Sequence, residues 1–142
     1  MSTIKQILDT KGYAVWSIHP RESVFAAIQQ MAEKEVGALV VLEGDAVVGI
    51  VSERDYARKV MLKGRSSRET MVQDIMTADV IHVRLDQSIE ECMTIVTEKH
   101  IRHLPVLDSG QLVGIISIGD LVKTIIAEQQ FIIEQLEHYI SG

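Results

Sequence analysis

A chain of 142 residues, 46% hydrophobic and 24% charged, fits one globular domain, and an aromatic content of 4% leaves the core to Val, Ile, Leu, Met and Ala. A net charge of −6 argues against a nucleic-acid-binding surface, and no apolar run approaches the roughly 18 residues of a membrane span. The start MSTIKQILDTKG does not read as a secretory signal and the lone Cys92 rules out an internal disulfide, which together favour the cytoplasm.

In chain order, TIKQIL (3–8) comes first and resembles MVQDIM (71–76) at a shift of 68. From there a second copy follows at a shift of 65, so the first copy carries three extra residues near Lys11-Gly12-Tyr13. Val15 falls on Val80, Ser23 on Ser88, Glu33-Lys34 on Glu98-Lys99, and Val41-Leu42 on Val106-Leu107. GIVSERD (49–55) falls on GIISIGD (114–120), matching Ser52 to Ser117 and Asp55 to Asp120. The polar stretch KGRSSRET (63–70) links the copies. In the second copy VIHV (80–83) is a short strand, and Ser88 precedes a helix whose apolar positions Ile89, Cys92, Met93 and Val96 keep helical spacing. HLPVL (103–107) is a strand, Asp108-Ser109-Gly110 a turn, QLVGIIS (111–117) a strand and IGDLVKTIIAEQQ a helix. The first copy gives the same order. A separate amphipathic helix then carries Phe131, Ile132, Leu136 and Ile140, a stripe that calls for burial on the pair, on a second copy or on a partner. The fold class is α/β (α+β): repeats at 4–62 and 71–127, a helical extension at 128–142, and strands apolar on both faces that want helices packed on them. A repeat of this size buries only a marginal core alone, so the two should pack as one pseudo-twofold unit.

Tandem strand–helix–strand–strand–helix units, each ending G-h-h-S-x-x-D, resemble the CBS domain pair, named after cystathionine β-synthase. The resemblance covers about Ile4 to Ala127. It implies an adenosine-containing ligand, with AMP first and ATP, ADP, NAD(H) or S-adenosylmethionine as alternatives. It also implies a homodimer and a regulated protein of unknown identity, while the charge and the short apolar runs already speak against nucleic acid and membrane as partners. In the family the motif Asp holds the ribose and the Ser approaches sugar or phosphate, roles that transfer to Asp55, Ser52, Asp120 and Ser117. Each cleft is built between copies. Asp55 then faces Ile101, Arg102 and His103, where Arg102 and His103 resemble a phosphate-contacting pair in swapped order. Asp120 faces Val36, Gly37 and Ala38.

Chemistry weighs the two clefts differently. Arg54 and, one helical turn on, Arg58 make the Asp55 cleft cationic, and a guanidinium fork suits phosphate. The Asp120 cleft, with Gly119 beside its carboxylate, is small and neutral. Thr77, Val80, Ile81, Ile101 and Ile50 line an apolar slot for a base in the first cleft. Tyr13, Trp16, Val36 and Ile115 do so in the second, although for Trp16 ordinary burial is favoured over stacking on adenine. Ser-x-x-Asp is also a helix capping box that contributes about 1 kcal/mol and binds nothing. A helix N-terminus offers N–H groups to phosphate. His100 and His103 diverge where a strand begins, so metal binding has little support. No nucleophile–base set, Walker loop or dinucleotide fingerprint is present. The reading is a ligand-sensing module, not an enzyme; a dimeric scaffold whose caps bind nothing is the alternative.

Overall fold

The computed structural model describes residues 2–141. Helix α1 (Ile4–Lys11) leads into β1 (Ser17–Ile18), α2 (Val24–Lys34), β2 (Ala38–Glu43), β3 (Ala46–Ser52) and α3 (Glu53–Tyr56), which runs on as a π-helical turn to Met61. After a 3-10 turn at Val72–Asp74 come β4 (Val83–Arg84), α4 (Ile89–Lys99), β5 (His103–Asp108), β6 (Gln111–Ser117) and α5 (Ile118–Ser141). Two three-stranded sheets result, in the orders β1-β2-β3 and β4-β5-β6. In each, the first pairing is parallel and the second antiparallel, with a bulge at the same place, Val41/Leu42 and Val106/Leu107. The apolar runs ALVVLE and HLPVLD are buried or partly buried over most of their length, as strands apolar on both faces need cover on both.

The leading segments change places. Ile4, Ile7 and Leu8 of α1 are buried with Val83, Ile89, Leu104, Ile116 and Leu121 of the second repeat. Val72 and Ile75, which lead the second repeat, are buried with Val24, Met31, Leu39 and Val51 of the first. Hydrogen bonds pin the exchange: the Ile4 and Lys5 amides donate to the Gln87 and Leu85 carbonyls, and the Val72 amide donates to the Glu22 carbonyl. Each hydrophobic core thus joins one repeat's sheet to the other's leader. The motif glycines make the room. A Cβ on Gly114 would stand 2.7 and 2.9 Å from the Leu8 methyl carbons. One on Gly49 would stand 2.5 Å from Met76 Sδ and 3.0 Å from the Thr77 carbonyl oxygen.

Two expectations need correction. VIHV is not a strand throughout: only Val83 of it pairs, and Val80 to His82 run unpaired. In the first repeat the Val40 amide donates to the Trp16 carbonyl at 3.2 Å. Pro105 stands at the matching place and has no N–H to give Ile81. Nor is the C-terminal helix separate. With no glycine, proline or cap to stop it after Gly119, α5 continues unbroken for 24 residues, and from Gln129 to Ser141 every residue is exposed rather than partly buried. Gly142 lies outside the described residues.

The exchange predicts non-additive stabilities. Leu8→Ala should cost about 2–5 kcal/mol, since Leu8 is fully buried. Gly114→Ala should cost about 1–3 kcal/mol by overpacking against Leu8. The double variant should lose clearly less than the sum, because truncating the leucine vacates the space the new methyl needs. Urea unfolding of the four proteins measures this, and strict additivity would mean the two residues do not share a slot.

Candidate functional site

Two clefts open along the seam between the repeats. At the end of β3, Ser52 caps α3: its Oγ accepts from the Asp55 amide at 3.2 Å. Asp55 Oδ2 accepts in return from the Ser52 amide at 2.9 Å and the Ser52 hydroxyl at 3.0 Å. Ser117 and Asp120 repeat the arrangement, at 3.1 Å for the Asp120 amide onto Ser117 Oγ and 2.9 Å for the Ser117 amide onto Asp120 Oδ2. The capping box is therefore present in both repeats. The amides of Glu53 and Ile118 are also taken, by the carbonyls of Gly37 and Arg102 at 3.0 and 2.8 Å. These helix ends accordingly have fewer free N–H groups for phosphate than a bare N-terminus would.

The larger cleft, about 740 Å³, brings together Ile50, Ser52, Arg54, Asp55, Arg58, Thr77, Val80, Ile81, Ile101, Arg102 and His103. Its floor is set by an isolated backbone bridge, in which the Ile50 and Thr77 amides donate to each other's carbonyls at 3.0 and 2.9 Å. Three carboxylates, Glu53, Asp55 and Asp79, balance the three arginines among the lining residues, so the wall is less cationic than the sequence suggests. Asp55 Oδ1 is paired with Lys59 at 3.2 Å. Among the described residues, Arg54, Arg58 and Arg102 have no carboxylate within ion-pair distance. Glu53, Asp79 and His100 also line this cleft. His100 reaches it because it ends α4 in the left-handed conformation, at φ 54°, as Glu35 ends α2 at φ 55°.

The smaller cleft, about 410 Å³, contains Trp16, Val36, Gly37, Ala38, Ile115 and Ser117. Tyr13 is not in its wall: it is 44% exposed and its hydroxyl donates to Asp9 Oδ1 at 2.5 Å. Trp16 is 40% exposed rather than buried, with the Lys34 ammonium 4.3 Å from its ring centroid. Lys11 and Glu35 also line this cleft, and Lys11 was not foreseen from the sequence. Its ammonium donates to Asp120 Oδ2 at 2.6 Å and to the Ile115 carbonyl at 2.8 Å, and Asp120 is held against it rather than lining the cleft. Burial opposes ionisation of Asp120, but the Lys11 ammonium and the Ser117 amide outweigh it and hold the carboxyl below its ordinary value. The residue missed was inside the three-residue insertion, which lengthens α1 so that Lys11 reaches the carbonyl of Ile115. In the other repeat the Thr77 amide serves the matching carbonyl of Ile50.

His103 and Gly37 line both clefts. Burial, joined by the Lys11 and Arg102 charges and opposed by Asp120, lowers the His103 pKa below 6.5 and keeps the ring neutral at pH 7. Cys92 is fully buried, and burial above all, with Glu91 beside it, pushes its thiol up to about 11, which leaves it unreactive. Among the described residues no cluster of three or more His, Cys, Asp or Glu side chains is placed to hold a metal, and no helix is long and apolar enough to cross a membrane.

The family model for the CBS domain matches residues 4–62 and 72–127. The mitochondrial CBS domain-containing protein CBSX3 of Arabidopsis thaliana is 36% identical over 99% of this chain and 73% of its own. A solved protein with CBS domains from Burkholderia ambifaria is 53% identical, with a TM-score of 0.87 over 90% of this chain and 96% of its own. The CBS domain pair of protein MJ0100, solved with 5′-methylthioadenosine and S-adenosyl-L-methionine, shares the fold at a TM-score of 0.80 and 21% identity, over 90% of this chain and 98% of its own.

The two partly buried groups, His103 and Asp120, separate in pH. The folded state binds a proton on His103 less tightly than the unfolded chain does, so the stability is complete above pH 6.5 and falls as pH drops through that value. Asp120, with its folded pKa depressed, loses its contribution only below 3.8. Urea midpoints at pH 7 and pH 5 should therefore fall further for the wild type than for His103→Gln. Equal losses in the two proteins would assign the change to other groups.

Proposed function

Because this chain belongs to the CBS domain family, whose pairs are regulatory modules for adenosine-containing ligands, we propose that it is a cytoplasmic sensor that binds an adenine nucleotide in the Asp55 cleft and, as a homodimer, signals its occupancy to a partner protein. AMP is the first choice, with ADP, ATP and NAD(H) as the alternatives. The observation that carries the reading is three arginines, without carboxylate partners among the described residues, lining the same cleft as the apolar Ile50, Val80, Ile81 and Ile101. The apolar wall accepts the base, Asp55 accepts from the ribose diol alongside or in place of Lys59, and Arg54, Arg58 and Arg102 meet the phosphates. Hydrogen bonds to a charged group contribute roughly 1.5–3 kcal/mol each, enough for discrimination among nucleotides. At about 0.3 kcal/mol per heavy atom, a ligand the size of AMP would bind in the micromolar range, which suits sensing.

Asymmetry follows. Lys11 holds the Asp120 carboxylate, so a second nucleotide must displace an ammonium that makes two short contacts. Ligand can shift the dimer only by binding one arrangement better than another. One observation favours the scaffold reading: both motif carboxylates already have protein partners, as a structural cap requires.

A thermal-shift panel of AMP, ADP, ATP, NAD(H) and S-adenosylmethionine separates the two. Ligand at about a hundred times its dissociation constant should add about 2.7 kcal/mol of stability to the wild type. Asp55→Ala and Arg102→Ala should abolish most of that gain, Asp120→Ala should keep it, and Lys11→Ala should add a second, weaker event in calorimetry. Flat melting temperatures with every ligand, beside a loss of about 1 kcal/mol for each missing cap, would leave the scaffold.

A further inference from the structure

The last thirteen described residues of α5 have no buried side chain. Gln129 to Ser141 are all exposed and extend about 20 Å past the body at 1.5 Å per residue. A free helix of that length is marginal in water. Part of the apolar surface of α5 nevertheless forms an ordered band, with Phe131 on the opposite face. Val122, Ile126, Gln129, Ile133, Leu136 and Ile140 recur at spacings of four and three, the seam of a coiled coil, with one polar position in it. The band runs through both halves of α5. Val122 and Ile126 in the body-bound half are 41% and 60% exposed, and Ile133, Leu136 and Ile140 in the free half are 47%, 57% and 82% exposed. The residues that anchor α5 to the body, chiefly buried Leu121 with Ile125 and Glu128, lie roughly a quarter turn away at 100° per residue, so the body does not cover the seam.

We infer that this seam pairs with the same seam of a second copy, antiparallel, so that each free tail lies along the body-bound half of the other chain's α5. Two features of the chain choose this occupant. The spacing four-three-four-three-four reads the same in both directions about Phe131, so an antiparallel copy sets Val122 against Ile140, Ile126 against Leu136 and Gln129 against Ile133 throughout. Charge then fixes the direction. Lys123 and Glu137 hold matching flank positions two heptads apart, and in antiparallel pairing matching flanks face each other. Lys123 meets the partner subunit's Glu137, twice by symmetry. In a parallel pair the same two residues would face Ile118 and Ile132, without a charge partner. A membrane surface is disfavoured by the carboxylates of Glu128, Glu134 and Glu137 around the tail, where an interfacial helix carries Lys and Arg. The pairing is independent of nucleotide binding.

Sedimentation velocity on the full chain tests it. Wild type should assemble at micromolar concentration, and Ile133→Asp, exposed in the single chain and so compatible with its fold, should halve the mass of the particle. Lys123→Glu and Glu137→Lys should each weaken that step by about tenfold, since each sets two like-charged pairs face to face. The double exchange should return to within about threefold of wild type. A wild-type monomer overturns the inference, whether or not it binds vesicles or another protein. So does an Ile133→Asp protein of unchanged mass, or a double exchange no stronger than the single ones.

Discussion

Two glycines receive two leucine-sized side chains from the wrong repeat, and the architecture depends on that. Gly114 accepts Leu8 and Gly49 accepts Met76, each at a distance that excludes a Cβ. The exchange places a fully buried Leu8 in the second core and a fully buried Val72 in the first. At about 1.5–3 kcal/mol per buried aliphatic side chain, neither repeat keeps a sufficient core without the other's leader. The seam that the leaders cross is also where both clefts open, so the contacts that unite the halves define the ligand sites.

Divergence is written on an identical frame. The caps Ser52–Asp55 and Ser117–Asp120 agree within about a tenth of an ångström in their backbone bonds. What differs is what faces them. Arg102 and His103 stand where the first repeat has Gly37 and Ala38, and three added residues bring Lys11 to Asp120. One cleft is left wide and rich in guanidinium groups, the other narrow and latched. Neutral His103 in the wall between them keeps a further positive charge out of both.

The repeat was legible because two copies in register repeat both apolar alternation and the turn residues, and β2, β3, β5 and β6 follow from those runs. The larger cleft was legible too, since its lining comes from the motif and from the start of β5. The crossing of the leaders was not, although the slip from a shift of 65 to one of 68 marks the place: periodicity tells which face is buried, not against which partner. Lys11 escaped for the same reason, being one of the added residues on a helix whose destination lies a hundred positions away. Tyr13 was misplaced because a residue next to a cleft in sequence can point outward, here to Asp9. VIHV read as a strand because pattern alone does not register that Pro105 withholds a donor from its neighbour.

The exchange of leaders also sets a timetable for biosynthesis. Leu8 is made 106 residues ahead of its receptor Gly114, a wait of roughly 5–20 s at ordinary translation rates. Helix α1 has eight residues, too few to persist alone, so its apolar face stays unclaimed in the nascent chain until the second repeat is made. The first sheet is luckier, for Val72 and Ile75 emerge soon after it. Maturation of the paired repeats is therefore directional, with α1 the last piece to settle.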